Sequence, residues 1–399
     1  MKTIVQKYGG SSVATDDKLR HVAERLLALH QAGHGVVVVV SAMGDTTNHL
    51  LDLAQGLNDN PPGRELDLLL SSGERISSSL LAMTIRAQGV PAVALTGAQA
   101  GIHTSKTHLN ARIMDVDPAR VRQELAAGRI VVVAGFQGID PAGEITTLGR
   151  GGSDTTAVAL AAALDADTCD ICSDVDGIYS ADPRMVDGAL RLPSLHYDEM
   201  EALARHGAKV LDLRAVAYAK KHGVTIHARS SSHENKGTLV HGKRLTQSQV
   251  IGIASLTRLI KLELAQADAQ LARDAVELCG AENVYFDATP NGGRDILIST
   301  LNMPEHEHVC KELTTRFSNK LTLAHDIGSV SIIGSGVGRS DASATHLRST
   351  LDSKRNALQS MFSTADTRTC IVDEKIIPET VRALHRRFVE HRPNVAAVA

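Results

Sequence analysis

The 399-residue chain contains no tryptophan, and aromatic residues make up only 3% of it. That scarcity leaves little from which to build stacking platforms for single-stranded nucleic acid or glycans. There is no surplus of basic charge either: 42 Lys and Arg stand against 45 Asp and Glu, a formal charge of −3. A protein that grips nucleic acid through its phosphates needs the opposite balance. No apolar run approaches the roughly 18 residues of a membrane span; the longest are Gly35–Val40 and Ala157–Leu164. Met1–Gly10 lacks the apolar stretch of a secretory leader, so none is expected. The cysteines, Cys169, Cys172, Cys279, Cys310 and Cys370, are few and odd in number. They predict reduced thiols in a cytoplasmic protein, not a disulfide framework. With 43% hydrophobic and 22% charged residues, the chain can bury a real core, spread over two or three domains.

The first half alternates strand and helix signals. Thr3–Gln6 reads as a short strand, Asp17–His30 as an amphipathic helix and Val36–Val40 as a fully buried strand. Residues 64–88 are helical; Pro91–Leu95, Ile130–Ala134 and Thr168–Ser173 are further strands. Ser153–Leu164 is apolar on all sides and should be a buried helix. Continuous apolar strands alternating with helices predict a mostly parallel sheet covered on both faces. The polar stretch Ser230–Gln249 reads as a domain junction. Beyond it two similar sets follow, each β-α-β-β-α-β, the ferredoxin-like split unit. The first closes near Leu321–Ala324; the second opens at Val330–Ile333 and closes at Val395–Val398.

Five segments carry residue types suited to chemistry. Lys7-Tyr8-Gly9-Gly10-Ser11-Ser12 lies between a strand and a helix, where free backbone N–H groups, a helix N-terminus and a lysine could receive phosphate. A plain glycine turn explains it as well. Gly149-Arg150-Gly151-Gly152-Ser153-Asp154 precedes the buried helix. Ser153 or Asp154 could simply cap that helix, but a cap leaves the glycines and the arginine unexplained; an arginine there suits bidentate grip on a carboxylate. Ser173-Asp174-Val175-Asp176-Gly177-Ile178-Tyr179, continuing to Ala181-Asp182-Pro183-Arg184, follows a buried strand, where open α/β sheets place ligands; solvated loop acids are the alternative. Ser72-Gly73-Glu74-Arg75 reads as a turn carrying either a site carboxylate or an exposed helix-start Glu. Ser41–Asn48 follows the valine strand with small and hydroxylated residues, a site lining or a helix cap. The Cys169-Asp170-Ile171-Cys172 pair has no second pair at zinc spacing, and the histidines include no HExxH. Gly334–Gly338 is read as a turn, not a nucleotide loop.

Taken in order, these segments are far more specific than any one of them. With Gly-Ala-Lys-Val-Leu at 207–211 and Gly-Thr-Leu-Val at 237–240, the set resembles the bacterial aspartate kinases, closely over residues 1–240 and loosely beyond. The resemblance implies an amino-acid-kinase catalytic domain over 1–240 and two ACT domains, over 250–325 and 326–399. It implies ATP with Mg²⁺ as cofactor and phosphorylation of the side-chain carboxylate of L-aspartate, the entry to lysine, diaminopimelate, threonine and methionine. A specialised pathway or a catalytically impaired amino-acid-sensing homologue is the alternative. By the same resemblance Lys7 bridges the transferring phosphoryl group, and Tyr8, Gly9, Gly10 and Ser11 lie on the nucleotide phosphates. Asp154 organises the lysine. Ser41 and Thr47 line the place where aspartate meets ATP, Ser41 on the ATP side and Thr47 on the aspartate side. Glu74 takes the substrate ammonium; Arg150 clamps the α-carboxylate with Gly151, Gly152 and Ser153 beside it. Ser173, Asp174, Tyr179, Arg184 and Lys209 hold the nucleotide. A homodimer through the ACT domains is expected, with no nucleic-acid or membrane partner. The family's Pro-Gly turn is missing from Leu262–Ala269, so weak feedback by lysine and threonine is expected.

Overall fold

The chain divides into two compact units: Met1–Ile178 with Arg191–Ala204 and Lys209–Leu245, and Tyr179–Leu190 with Arg205–Ala208 and Thr246–Ala399. The computed structural model describes residues 2–243, 250–264, 268–279, 284–288, 294–300, 303, 306–318, 320–352 and 360–390.

The chain begins with β1 (Thr3–Tyr8), α1 (Asp16–Gln31), β2 (Gly35–Val40), α2 (Thr46–Gln55), α3 (Gly63–Ala87) and β3 (Ala92–Leu95). There follow β4 (Ile102–Thr104), β5 (Ile113–Val116), α4 (Ala119–Ala126), β6 (Ile130–Ala134), β7 (Gln137–Ile139) and β8 (Ile145–Thr147). Then come α5 (Gly152–Ala163), β9 (Thr168–Ser173), β10 (Ser194–His196), α6 (Tyr197–Arg205), α7 (Leu213–His222), β11 (Thr225–Ser230) and β12 (Thr238–His241). Eight strands make the main sheet, in the order β10-β12-β11-β9-β1-β2-β6-β3, and β4, β5, β7 and β8 make a small second one. Only the β11–β12 pair of the main sheet is antiparallel. The predicted parallel sheet is therefore present; β1, β2, β3, β6 and β9 match the apolar runs to within two residues, while β10, β11 and β12 have no counterpart among them.

Tyr8, Val36, Val38 and Val40 share one face of this sheet with Val22 and Leu26 of α1 and Leu81 and Ile85 of α3. Successive strand residues point to opposite faces, so Lys7 emerges on the other side, where α5 lies. Every residue of α5 from Gly152 to Ala161 is buried, because a helix apolar all round is stable only under cover. β1 has β2 on one side and β9 on the other. That is the switch point of an open α/β sheet, and ligands bind beyond the carboxyl ends of such strands.

One local expectation fails. Ser72–Arg75 is not a turn but the middle of α3, and Glu74 is 3% exposed. Gly73 serves packing, not chain reversal: a Cβ there would stand 2.8 Å from Ala42 Cβ, so its absence lets α3 press against the loop after β2.

The second unit contains β13 (Val250–Leu264), α8 (Ala269–Cys279), β14 (Val284–Ala288), β15 (Arg294–Ser299), α9 (His306–Arg316), β16 (Leu321–Gly334), α10 (Asp341–Asp352), β17 (Ser360–Ser363), β18 (Thr367–Asp373) and α11 (Ile377–His385). Its sheet runs β14-β15-β13-β16-β18-β17, antiparallel throughout. The first four strands stand in the split order of a βαββαβ unit. The closing strand of the first set and the opening strand of the second are one continuous strand, β16. Beside its second half lies Val250–Leu256 of β13, in register with Ser329–Gly334. The strand expected at Val395–Val398, the turn residues Ala265–Ala267 and residues 357–359 lie outside the described residues.

Two segments from before the polar junction also build this unit. Ala181 and Val186 join Ile253, Val330 and Leu384 in its core. Ser180 O accepts Ile253 N at 2.7 Å, and Ser180 Oγ and His385 Nε2 lie 2.9 Å apart. His206 Nδ1 bonds Ser331 Oγ at 2.8 Å, and burial pushes the imidazole down to about 4. Among the described residues no helix is long and apolar enough to cross a membrane.

Leu160, fully buried on α5, measures how much the first unit depends on that helix. Leu160→Ala should cost about 2–5 kcal/mol, read as a lower urea midpoint; a loss below 1 kcal/mol would mean that α5 is not tightly packed.

Candidate active site

Three close approaches gather the carboxyl ends of β1 and β2 and the flank of α3. Ser41 N donates to Tyr8 O at 3.1 Å and Gly44 N to Gly10 O at 3.1 Å. A Cβ on Gly10 would meet Ala42 O at 2.7 Å, so only glycine lets the two loops touch. Ser77 Oγ donates to Ser41 O at 2.8 Å. The Gly9–Ser12 turn and the Ser41–Thr47 loop therefore form one surface, with Thr47 on the first turn of α2.

Lys7 Nζ and Asp154 Oδ1 are 2.7 Å apart, the side chains 13% and 10% exposed. Asp154 sits in the first turn of α5, where the helix dipole favours an anion. Gly151 opens that helix at φ 71°, and a methyl there would collide with the Asp212 carboxylate. Asp212 caps α7, accepting Arg214 N at 3.0 Å and Ala215 N at 3.2 Å, and its own N–H points at Asp154 Oδ2, 3.4 Å away. Burial holds the Asp212 carboxyl above its ordinary range; Arg214 opposes the shift and Asp154 adds to it. A lysine braced by a carboxylate beside a helix N-terminus is suited to neutralising charge on a transferring phosphoryl group.

Glu74 is the second charged feature. Its Oε1 accepts Ala42 N at 3.0 Å, while Oε2 is buried with no hydrogen-bond partner among the described residues. Burial pushes its pKa up to about 7, against the opposing pull of the Ala42 N–H. Such a carboxylate is ready to receive a cationic group. Arg150, by contrast, is exposed, and its loop is held by the backbone: Arg214 Nη2 donates to Arg150 O and Nη1 to Asn110 Oδ1. Ser153 is buried against Gly135, where a Cβ would stand 2.8 Å from its Oγ.

At the end of β9, Ser173 O accepts Ser231 N at 2.7 Å, and Ser231 Oγ lies 2.8 Å from Ser12 Oγ. Asp174 and Lys209 are exposed members of the first unit. Tyr179 and Arg184 belong to the second unit, and Arg184 binds Asp182 through Nε and Nη2. Asp212, Arg214, Asn110 and Ser231 escaped the sequence reading. Asp212 directly before an apolar run is a readable cap signal; Ser231 sits in a polar stretch that looks like a linker.

Fold and site define an amino acid kinase, and residues 2–230 match the model of the amino acid kinase family. The chain is 41% identical to an aspartokinase of Mycolicibacterium smegmatis over 97% of this chain and 96% of that protein. It is 45% identical to an aspartokinase of Mycobacterium tuberculosis over 84% of both. The chain belongs to the amino acid kinase family and, within it, to the aspartokinases. Escherichia coli aspartokinase III, solved in complex with aspartate and ADP, shares the fold at a TM-score of 0.80 and 22% identity, covering 96% of this chain and 99% of that one. Aspartate kinase from Synechocystis matches at a TM-score of 0.56 and 32% identity, over all of this chain and 71% of its own.

A carboxyl whose folded pKa is raised binds its proton in the native state over a range where the unfolded chain has released it. Stability therefore falls as pH rises from about 4.5 to about 7. Glu74→Gln keeps an acceptor for Ala42 N and removes the charge. It should leave the melting temperature unchanged at pH 4.5 and raise it at pH 8. A variant equally or less stable at pH 8 would show that Glu74 is not held against its ionisation.

Proposed function

We propose that this chain transfers the γ-phosphoryl group of ATP to the side-chain carboxylate of L-aspartate, giving 4-phospho-L-aspartate and ADP, the entry to lysine, diaminopimelate, threonine and methionine. The observation that carries the reading is the Lys7–Asp154 pair at 2.7 Å beneath the Gly9–Ser11 turn, in a chain of aspartokinase sequence. A carboxylate is already a nucleophile. One of its oxygens forms a bond to phosphorus as the bond to the β,γ-bridging oxygen breaks, and no proton need be abstracted. The work left to the protein is alignment and neutralisation of charge.

Lys7 meets the transferring group, and Asp154 fixes its position. Tyr8, Gly9, Gly10 and Ser11 offer backbone to the phosphates, with Ser41 beside them. The short, doubly charged substrate explains the remaining pair: Glu74 receives the ammonium and Arg150 the α-carboxylate, with Thr47, Gly151, Gly152 and Ser153 around them. The raised carboxyl of Glu74 ionises when the ammonium arrives, since an opposite charge favours the charged form. Ser173, Asp174 and Lys209, all in the first unit, receive the nucleotide; Tyr179 and Arg184 carry that assignment from the family resemblance alone. Mg²⁺ would enter on the phosphates of ATP and neutralise their charge. In this reading the ion is held mainly by the nucleotide. In this reading residues 1–240 are the catalytic domain, 250–325 and 326–399 are ACT domains, and the ACT pair makes the cytoplasmic protein a homodimer.

Release of ADP, followed by a coupled assay with aspartate, glutamate and acetylglutamate in parallel, should respond to aspartate alone. Lys7→Ala and Asp154→Ala should each lower kcat by about 10²-fold or more while the fold survives; near-normal turnover of Lys7→Ala would refute the assignment. Arg150→Ala should raise KM for aspartate far more than KM for ATP, whereas equal rises would indicate a collapsed loop and no clamp.

A further inference from the structure

Asp67 lies on α3, about two turns before Glu74, and is completely buried. A carboxyl group taken out of water needs donors. Leu109 N approaches its Oδ1 at 3.1 Å and its Oδ2 at 3.2 Å, His108 Nδ1 lies 2.7 Å from Oδ2, and the Thr147 hydroxyl donates to Oδ1. His108 and Leu109 belong to the loop between β4 and β5; Thr147 ends β8, three residues before Arg150. An apolar side chain would pack α3 at less cost. What the carboxylate adds is a fixed position for a loop and a strand end.

The loop needs such a hold. Leu109 has φ 64°, a left-handed conformation that residues with a Cβ seldom adopt. A Cβ on Gly149 would stand 3.2 Å from Leu109 O and 3.3 Å from Asn110 Oδ1, so the loop lies directly on the glycine before Arg150. Asn110 Oδ1 accepts Arg214 Nη1 at 2.7 Å, and Arg214 Nη2 donates to Arg150 O. Ala111 N donates to Thr147 O at 2.9 Å. Two routes therefore lead from Asp67 to Arg150: along the chain from Thr147, and across Leu109, Asn110 and Arg214. The Arg150 side chain is exposed, so its place depends on where its backbone is held.

We propose that Asp67 is a positioning residue for substrate binding: through the Leu109–Asn110 loop and Arg214 it fixes the Gly149–Gly151 turn, so that Arg150 stands where the α-carboxylate of the amino acid arrives. This rests on the clamp role given to Arg150 above. Asp67 touches no substrate itself.

The test is steady-state kinetics of the full chain with aspartate and ATP varied separately. Asp67→Leu keeps the volume and removes the acceptors; it should raise KM for aspartate about tenfold or more and leave KM for ATP within about twofold. Asp67→Asn retains Oδ1 for Leu109 N and Thr147 and offers its amide to His108, so it should restore KM for aspartate to within about twofold of the unmodified chain. Asn110 is exposed, so Asn110→Ala leaves the core intact should Asp67→Leu fail to fold. It cuts only the link to Arg214 and should raise KM for aspartate about threefold, again without moving that for ATP. In an Arg150→Ala background, adding Asn110→Ala should have no further effect, because both changes act through one group. Multiplication of the two effects, or equal rises in both KM values, would overturn the proposal and leave the clamp standing. So would a KM for aspartate unmoved by Asn110→Ala, or no rescue by Asp67→Asn. If Arg150→Ala alone left KM for aspartate unchanged, the clamp itself would fall, and this inference with it.

Discussion

The ion pair between Lys7 and Asp154 is the constraint around which the first unit is arranged. Both side chains are nearly out of water, and two charges so placed are tolerated only when they meet closely. The lysine must come from a strand and the carboxylate from a helix N-terminus on one particular face of the sheet. The register of β1 between β2 and β9 sets the first. The second follows from α5, whose apolar surface pins it against that sheet. Gly151 and Gly152 let the chain enter α5 tightly enough for Asp154 to reach inward, with Asp212 behind it. Moving any one of these elements by a residue turns the pair into an isolated buried charge.

Much of this was legible in the sequence, because the physical signals were strong. Five consecutive valines can hardly be anything but a central strand, and an Ala-rich helix without a polar side must be covered. The Lys-Tyr-Gly-Gly-Ser-Ser and Gly-Arg-Gly-Gly-Ser-Asp segments stood out because glycine beside a charge has few structural explanations. Glu74 was harder. Gly73 suggested a turn, since in isolation a mid-helix glycine costs stability; what it supplies is close contact with Ala42, a long-range fact that no local pattern contains. Asp212 and Ser231 depend likewise on partners 58 and 219 residues distant. The segments Tyr179–Leu190 and Arg205–Ala208 are local in sequence to one unit and in space to the other, and periodicity carries no information about that.

In the proposed reading, Glu74 and Arg150 would differ in how they receive a substrate. The carboxylate is buried and half satisfied, while the guanidinium is exposed on a loop held by its backbone. A ligand with both charges would lose water mainly at its ammonium end. Recognition of the carboxylate end would be the more sensitive to salt, because an exposed cation is screened and a buried anion is not.

β13 and β16, 15 and 14 residues long, each run through both halves of the six-stranded sheet. Neither half has strands of its own at the centre, so the two repeats are not beads on a string. They share a single hydrogen-bonded spine and should melt in one cooperative step. In evolutionary terms, neither repeat could be lost, duplicated or exchanged for a relative's without cutting a strand that the other also uses.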